Sequence, residues 1–333
     1  MRWTLPLLQM VFWMTASAAQ AAGPYGPELE GFDYPFPVQR HTFESQGQTL
    51  SMAFMDVAPD VPNGRTVVLL HGKNFCAATW GVTIGRLTAA GFRVIAPDQI
   101  GFCKSSKPER YQFTFHQLAA NTRALLESRG VTRAVVLGHS MGGMLAARLA
   151  LMHPDTVEQL IMVNPLGLED WLAEGVPYAT VDQLFRGELR TTAETIRNYQ
   201  LKYYYNGRWK PEYDQWVEMA AGLYAGSGRE RVAWNQALTM EMIFTQPVLY
   251  EFLRLLVPTV LFIGGMDRTA PGAARAPAEI AQRLGDYPVL GRRAAAAIPG
   301  AKLVEFPDLG HSPQVEAPDR FHDALLEILR NPD

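Results

Sequence analysis

Cysteine is nearly absent from this chain: Cys76 and Cys103 are its two residues of the type among 333. A disulfide-scaffolded fold is thereby excluded. The two share no Cys-x-x-Cys spacing with each other or with a histidine, so the usual structural zinc pattern is missing too. Basic clusters are also lacking. Lys and Arg total 30 against 33 Asp and Glu, a net charge of −3. No stretch offers the basic face that a nucleic acid backbone needs, so none is expected as a partner. No segment holds the roughly 20 uncharged apolar residues of a bilayer span. What remains is ordinary globular material. Hydrophobic residues make up 48% and charged residues 19%. A chain of this length and composition buries a large core, which rules out disorder, collagen and coiled coil.

The N-terminus reads MRWTLPLLQMVFWMTASAAQAA. Arg2 gives a positive start, an apolar run extends from Trp3 to Met14, and Ala19-Gln20-Ala21 supplies the small residues of a cleavage site. This is the pattern of a secretory signal peptide. The expectation is an exported protein, periplasmic or secreted. Residues 1–21 are then removed and no membrane anchor remains.

Residues 23–37 are rich in Gly, Pro and aromatics and read as an extended arm, since Pro blocks both ladder and helix. Residues 38–57 alternate around Ser45-Gln46-Gly47-Gln48, as a β-hairpin does. Continuous apolar runs follow at 66–70 (TVVLL), 93–97 (RVIAP), 134–137 (AVVL), 160–163 (LIMV) and 259–263 (TVLFI). Runs of this kind are buried parallel strands. Helical patterns lie between them, such as Phe115, Leu118, Ala119, Thr122, Leu125 and Leu126. The alternation predicts an α/β fold, a parallel sheet covered on both faces. Residues 166–250 break the rhythm. They hold 14 of the 35 aromatics and no buried-strand run. They read as a helical cap inserted between core segments 22–165 and 251–333.

Gly138-His139-Ser140-Met141-Gly142 follows an apolar run and precedes a helical stretch. That strand–turn–helix setting is what a nucleophile elbow requires. It lifts the Ser140 hydroxyl to a helix N-terminus, where free N–H groups favour an oxyanion. A serine needs a base, and the base an orienting acid. His311 follows the last strand-like run, KLVEF, and is the candidate base. Asp267 follows VPTVLFIGGM and is the candidate acid, in the order Ser…Asp…His. Glu169 and Asp170 are rival acids, set a few residues too far into the insertion. The oxyanion donors are the backbone N–H groups of Met141 and of Lys73, in His71-Gly72-Lys73-Asn74-Phe75. His71 reads as a brace for that loop. His116, His153 and His322 read as structural, and His41 lies in the N-terminal hairpin.

The ordered set HG (71–72), Asp98-x-x-Gly101-x-x-x-Ser105, GHSMGG (138–143), GGMD (264–267) and GHSP (310–313) resembles the α/β-hydrolase superfamily over about residues 38–331. More narrowly, it is similar to the branch with a helical cap after the sixth strand. The resemblance implies a mostly parallel eight-stranded sheet with helices on both faces and the triad Ser140, Asp267, His311. It implies a hydrolase that needs no metal or organic cofactor. Ser140 departs from the Asp nucleophile of dehalogenases and epoxide hydrolases. GHSMG departs from the GGSWG elbow of proline iminopeptidases. Ester cleavage through an acyl-enzyme is the leading expectation. C–C hydrolysis, amidase or peptidase activity and acyl transfer use the same triad, and a non-catalytic binding protein is the reading least favoured by an intact set. The aromatic cap suggests a small-molecule acyl substrate of apolar or aromatic character, although aromatics also serve simply to pack helices. The interval from Asp267 to His311 is long for this branch, and residues 270–292 read as an excursion that either shapes the pocket or covers an edge.

In the implied fold Cys76 and Cys103 lie on loops leaving adjacent strands at one sheet edge. A disulfide between them suits an exported protein, with two buried thiols as the alternative.

Overall fold

The computed structural model describes residues 23–331. The expected signal peptide, residues 1–21, lies outside them. The hairpin strands are β1 (Val38–Ser45) and β2 (Gln48–Val57). Six more follow: β3 (Thr66–Leu70), β4 (Arg93–Pro97), β5 (Ala134–His139), β6 (Val157–Val163), β7 (Thr259–Gly264) and β8 (Lys302–Phe306). They form one eight-stranded sheet in the order β1-β2-β4-β3-β5-β6-β7-β8. The β1–β2 and β2–β4 pairs are antiparallel and the rest parallel. β6 begins ahead of the apolar run 160–163 because Gln159 is buried despite its polarity.

The apolar runs are continuous because the sheet is covered twice. Val67 and Leu69 of β3 join one core with Trp80, Phe262, Phe306 and Phe321. Val68 and Leu70 join the other, with Phe115, Leu118, Met144 and Leu145. Alternate residues of a strand point to opposite faces, so both must be apolar. The first core is closed by α1 (Gly81–Ala89) and α11 (Pro318–Arg330), the second by α2 (Phe115–Ser128) and α3 (Met141–Met152).

Between β6 and β7 the chain leaves the sheet and forms α4 (Val181–Glu188), α5 (Ala193–Tyr199), a π-helical turn (Gln200–Tyr204), α6 (Asp214–Ala225) and α7 (Arg229–Thr245). Among the described residues this insertion contains no strand. Many of its aromatics pack on one another: the Tyr205 and Tyr213 rings stack with centroids 3.7 Å apart, and Trp209 meets both edge-on. The N-terminal arm straps insertion to core. Tyr25 N–H donates to Gly222 O of α6 at 3.0 Å, Leu29 is wholly buried, and Tyr34 OH donates to Asp98 at 2.6 Å.

The excursion after β7 divides in two. Residues 270–286 hold a short helix, α8 (Ala278–Ala281), and lie against the start of the insertion: Arg275 donates to Pro177 O and Gly285 N–H to Glu169. The remainder is regular. α9 (Tyr287–Ala297) is the crossover helix to β8, packed on β7 where Gly291 meets Ile263. The sequence reading set residues 287–292 apart because Gly291 and an Arg pair blur the helical pattern.

Candidate active site

The elbow forms because β5 must turn into α3 with no room for side chains. A Cβ on Gly138 would strike Gly142 O, and one on Gly142 would strike Leu70 O. Ser140 takes φ 58° and ψ −122° at the N-cap of α3. This region is strained for a residue with a Cβ, and such strain persists only where surroundings enforce it. Here they do. Ser140 N–H donates to Val163 O at 3.0 Å, and its carbonyl accepts from Gly143 and Leu166. The side chain is 2% exposed.

Asp267 and His311 are wholly buried and joined, His311 Nδ1 to Asp267 Oδ2 at 2.6 Å. The carboxylate can only accept here, so the ring proton sits on Nδ1 and Nε2 carries the lone pair. His311 Nε2 has no hydrogen-bond partner, the Ser140 hydroxyl included. Such bonds commonly tighten only when substrate is bound. Asn164, at the end of β6 with φ 39°, donates from Nδ2 to Asp267 Oδ2 at 2.8 Å, and Thr269 N–H donates to Oδ1 at 2.7 Å. The rival acids are spent elsewhere. Glu169 accepts from Trp171 and Gly285, while Asp170 accepts from Tyr250.

The loop carrying His311 lies between β8 and a short helix, α10 (Pro313–Glu316). Gly310 N–H donates to Glu316 Oε1 at 2.8 Å, and His311 N–H donates to Tyr204 O at 3.1 Å. The Tyr204 ring lies 4.7 Å from the His311 ring. Burial pushes the Glu316 carboxyl up to about 7. His139 donates from Nε2 to His311 O at 2.8 Å, and burial holds its ring neutral, well below the ordinary histidine range.

The loop after β3 runs beside the elbow; a Cβ on Gly72 would lie 2.9 Å from Ser140 Cβ. His71 braces it, its Nδ1 paired with Gly72 O at 2.8 Å and its Nε2 accepting from Gln99 N–H at 3.0 Å. Phe75 N–H closes a turn on Gly72 O, a turn that leaves the Lys73 N–H unused. Met141 opens α3, so its N–H has no intrahelical acceptor. The Lys73 side chain is buried and reaches into the insertion, donating to Glu188 and Gln236, each at 3.0 Å. Cys76 and Cys103 are bonded, with Cα atoms 5.9 Å apart. Among the described residues, the grouping with metal-ligand chemistry is Cys76, Asp98 and Cys103. Its sulfurs are spent on each other, and Asp98 accepts from Tyr34, Ala77 and Lys104.

Sequence reasoning placed Ser140, Asp267, His311, Lys73 and Met141 in one site; the structure pairs Asp267 with His311 and sets the loop carrying Lys73 against the elbow of Ser140 and Met141. It missed Asn164, Tyr204 and Glu316. Asn164 had a signal, as the first polar residue after LIMV. Tyr204 reaches the site only through the packing of a distant segment, whereas Glu316 lies just past His311 and folds back on Gly310.

The profile of the alpha/beta hydrolase fold matches residues 65–318. The chain belongs to this family. The hydrolase is 63% identical to a probable hydrolytic enzyme from Pseudomonas aeruginosa PAO1. That crystal structure superposes with a TM-score of 0.92 over 92% of this chain and 99% of the other. It is 26% identical to the 2-hydroxy-6-oxo-6-phenylhexa-2,4-dienoate hydrolase of Burkholderia cepacia, over 82% of this chain and 90% of that one. The enol-lactonase of Burkholderia xenovorans LB400 shares the fold, at 21% identity and a TM-score of 0.65, over 87% of this chain and 100% of the other.

Proposed function

We propose that this hydrolase cleaves a small carboxylic ester through an acyl-enzyme on Ser140. The observation that carries the reading is the buried Asp267–His311 pair facing a strained serine elbow. His311 Nε2 takes the Ser140 proton as Oγ attacks the acyl carbon. The N–H groups of Met141 and Lys73 hold the oxyanion, and Asp267 stabilises the imidazolium. His311 then returns the proton to the leaving alcohol and activates the water that frees the acid. The helices of residues 166–250 roof the site, tied to it by Lys73–Glu188 and by Asn74, which donates to Tyr204 OH at 2.9 Å. The pattern of residues 1–21 and the Cys76–Cys103 bond support export to an oxidising compartment.

A second reading takes its cue from the dienoate hydrolases among the relatives: hydrolysis of a carbon–carbon bond in a substrate acid. Such an acid needs a free cation. Lys73, the buried cation of the oxyanion loop, is already paired with Glu188. The ester reading is therefore preferred.

The test is labelling of the protein by a fluorophosphonate and turnover of short p-nitrophenyl esters. Ser140→Ala is expected to abolish labelling and to lower kcat by about 10⁴- to 10⁶-fold. An unlabelled wild type that turns over no ester would overturn the reading.

A further inference from the structure

We propose that His139 is a positioning residue for the base: its Nε2–H holds the backbone carbonyl of His311 and so fixes His311 against the nucleophile, which is the next residue after His139. The proposal rests on the hydrolase reading for what His311 does, while the anchoring stands on contacts of its own. His139 Nε2 lies 2.8 Å from His311 O, across 172 residues of sequence. A carbonyl can only accept, so the ring proton sits on Nε2 and Nδ1 carries the lone pair. The two ring centroids are 4.9 Å apart, and His139 is 1% exposed.

Every polar atom of His311 is held except the one that must react. Its Nδ1 donates to Asp267, just beyond β7. Its N–H donates to Tyr204 O of the π-helical turn. Its carbonyl accepts from His139, the last residue of β5. Nε2 has no partner, and it is the atom that has to meet Ser140 Oγ. The three anchors do different work. Asp267 sets the tautomer, and Tyr204 ties His311 to the insertion. His139 ties it to the elbow, which Val163, Gly143 and Leu166 hold through Ser140 backbone bonds. One short turn of chain therefore carries both the nucleophile and an anchor of its base.

Packing alone does not account for an imidazole here. The ring lies 5.7 Å from Phe75 and 6.4 Å from Trp80 between centroids, surroundings that suit an apolar side chain. Its Nδ1 is buried without a partner, which costs stability and which native structures seldom tolerate. The bond to His311 O is what the polar ring gains in return. Burial first, and then the neighbouring His311, hold the His139 ring neutral, well below the ordinary histidine range. It remains a donor through Nε2 and adds no charge to oppose the imidazolium that His311 becomes in turnover. A reacting group misplaced by about 1 Å can lose about 10²-fold in rate, and that is the order of effect expected when the anchor is removed.

The experiment compares His139→Gln with His139→Met. The two side chains match in length, and only glutamine can donate from the place of Nε2. Fluorophosphonate labelling rate, steady-state hydrolysis of a p-nitrophenyl ester and melting temperature are measured for each. His139→Met is expected to lower labelling and kcat by about 10²-fold with KM within about twofold, and His139→Gln to recover about tenfold of that loss. A methionine variant that melts lower yet labels and turns over like the glutamine variant would show a packing role alone and overturns the proposal. Wild type gives a measurement that needs no variant to fold. Proton–nitrogen NMR of its histidines at neutral pH is expected to find His139 neutral with the proton on Nε2; a proton on Nδ1 overturns the proposal. The His311 Nδ1–H resonance then judges the anchor without catalysis, expected sharp in wild type and His139→Gln and broadened in His139→Met. If wild type does not label, the esterase reading fails and this resonance decides the anchor. If wild type labels and the resonance is equally sharp in all three proteins, the anchor fails alone.

Discussion

Asp267 shows how little freedom a buried carboxylate keeps. Its two oxygens accept from His311, Asn164 and Thr269. Replacing it with Asn leaves the volume unchanged and puts an amide where acceptors are needed. Either the NH₂ faces His311, forcing the ring into the wrong tautomer, or it opposes another donor. Asp267→Asn is expected to lower kcat by about 10⁴-fold while KM moves little, measured by steady-state ester hydrolysis. A fall below tenfold would mean that another acid orients His311. Neither rival is placed to do so, because Glu169 is committed to Trp171 and Gly285. The three triad positions were legible in sequence because each follows a run that reads as a strand, and a parallel sheet puts those strand ends at one edge. Asn164 follows the same rule, yet Asn after a strand is common enough to pass unremarked. His139 shares the frame of Ser140, but its role rests on a carbonyl 172 residues away.

At the level of elements, the loop bearing His311 is gripped from two sides. The π-helical turn holds it through Tyr204 O, and α10 holds it through the Glu316 side chain. The first grip does not follow from local sequence, since Tyr204 lies more than 100 residues upstream; the second is local, six residues after Gly310. The core elements were readable because sheet burial writes continuous apolar runs. α9 was less so, since a helix with Gly291 at its strand-facing side breaks the usual apolar spacing. Glu316 gives this clamp a pH dependence of definite sign. Its ordinary value is 4.5, and in the fold burial raises it to about 7. Below pH 4.5 the carboxyl is neutral whether the chain is folded or not, and the native state keeps its full contribution. As pH rises from 4.5 to about 7 the unfolded chain ionises first, and stability is withdrawn; above 7 the loss is constant. Glu316→Gln keeps an acceptor for Gly310 N–H and cannot ionise. The unfolding free energy of wild type relative to this variant is therefore expected to fall across that window and to level off above it. Denaturant titrations at a series of pH values check this, and parallel curves for the two proteins would refute it.

Over the whole molecule, the scarcity of cysteine acquires a purpose. The bond joins the loop after β3 to the loop after β4, 27 residues apart in sequence and neighbours in the sheet. The first loop carries Lys73 and Asn74, and the second carries Gly101, whose carbonyl accepts from Gln236 of α7. One bond thus fixes two loops that face the roof. Closing a loop of this size in the unfolded chain is worth about 3–4 kcal/mol on the chain-entropy model. Such bonds persist where the surroundings are oxidising, which is where the proposed export through residues 1–21 would send this chain. Cys76→Ser combined with Cys103→Ser is therefore expected to lose about that much unfolding free energy. Dithiothreitol should bring wild type down toward the variant and leave the variant unchanged. Both sulfurs are buried, so the reduction has to be done under partly denaturing conditions. Wild type expressed with residues 1–21 in a double-membraned bacterium should be recovered from the periplasm with its N-terminus at Ala22, and non-reducing peptide mapping should find the Cys76–Cys103 peptide cross-linked. The same chain expressed without residues 1–21 should keep free thiols in the cytosol and match the double variant in stability. Recovery of a full-length N-terminus, or equal stability of the oxidised and thiol forms, would break the link between the bond and export.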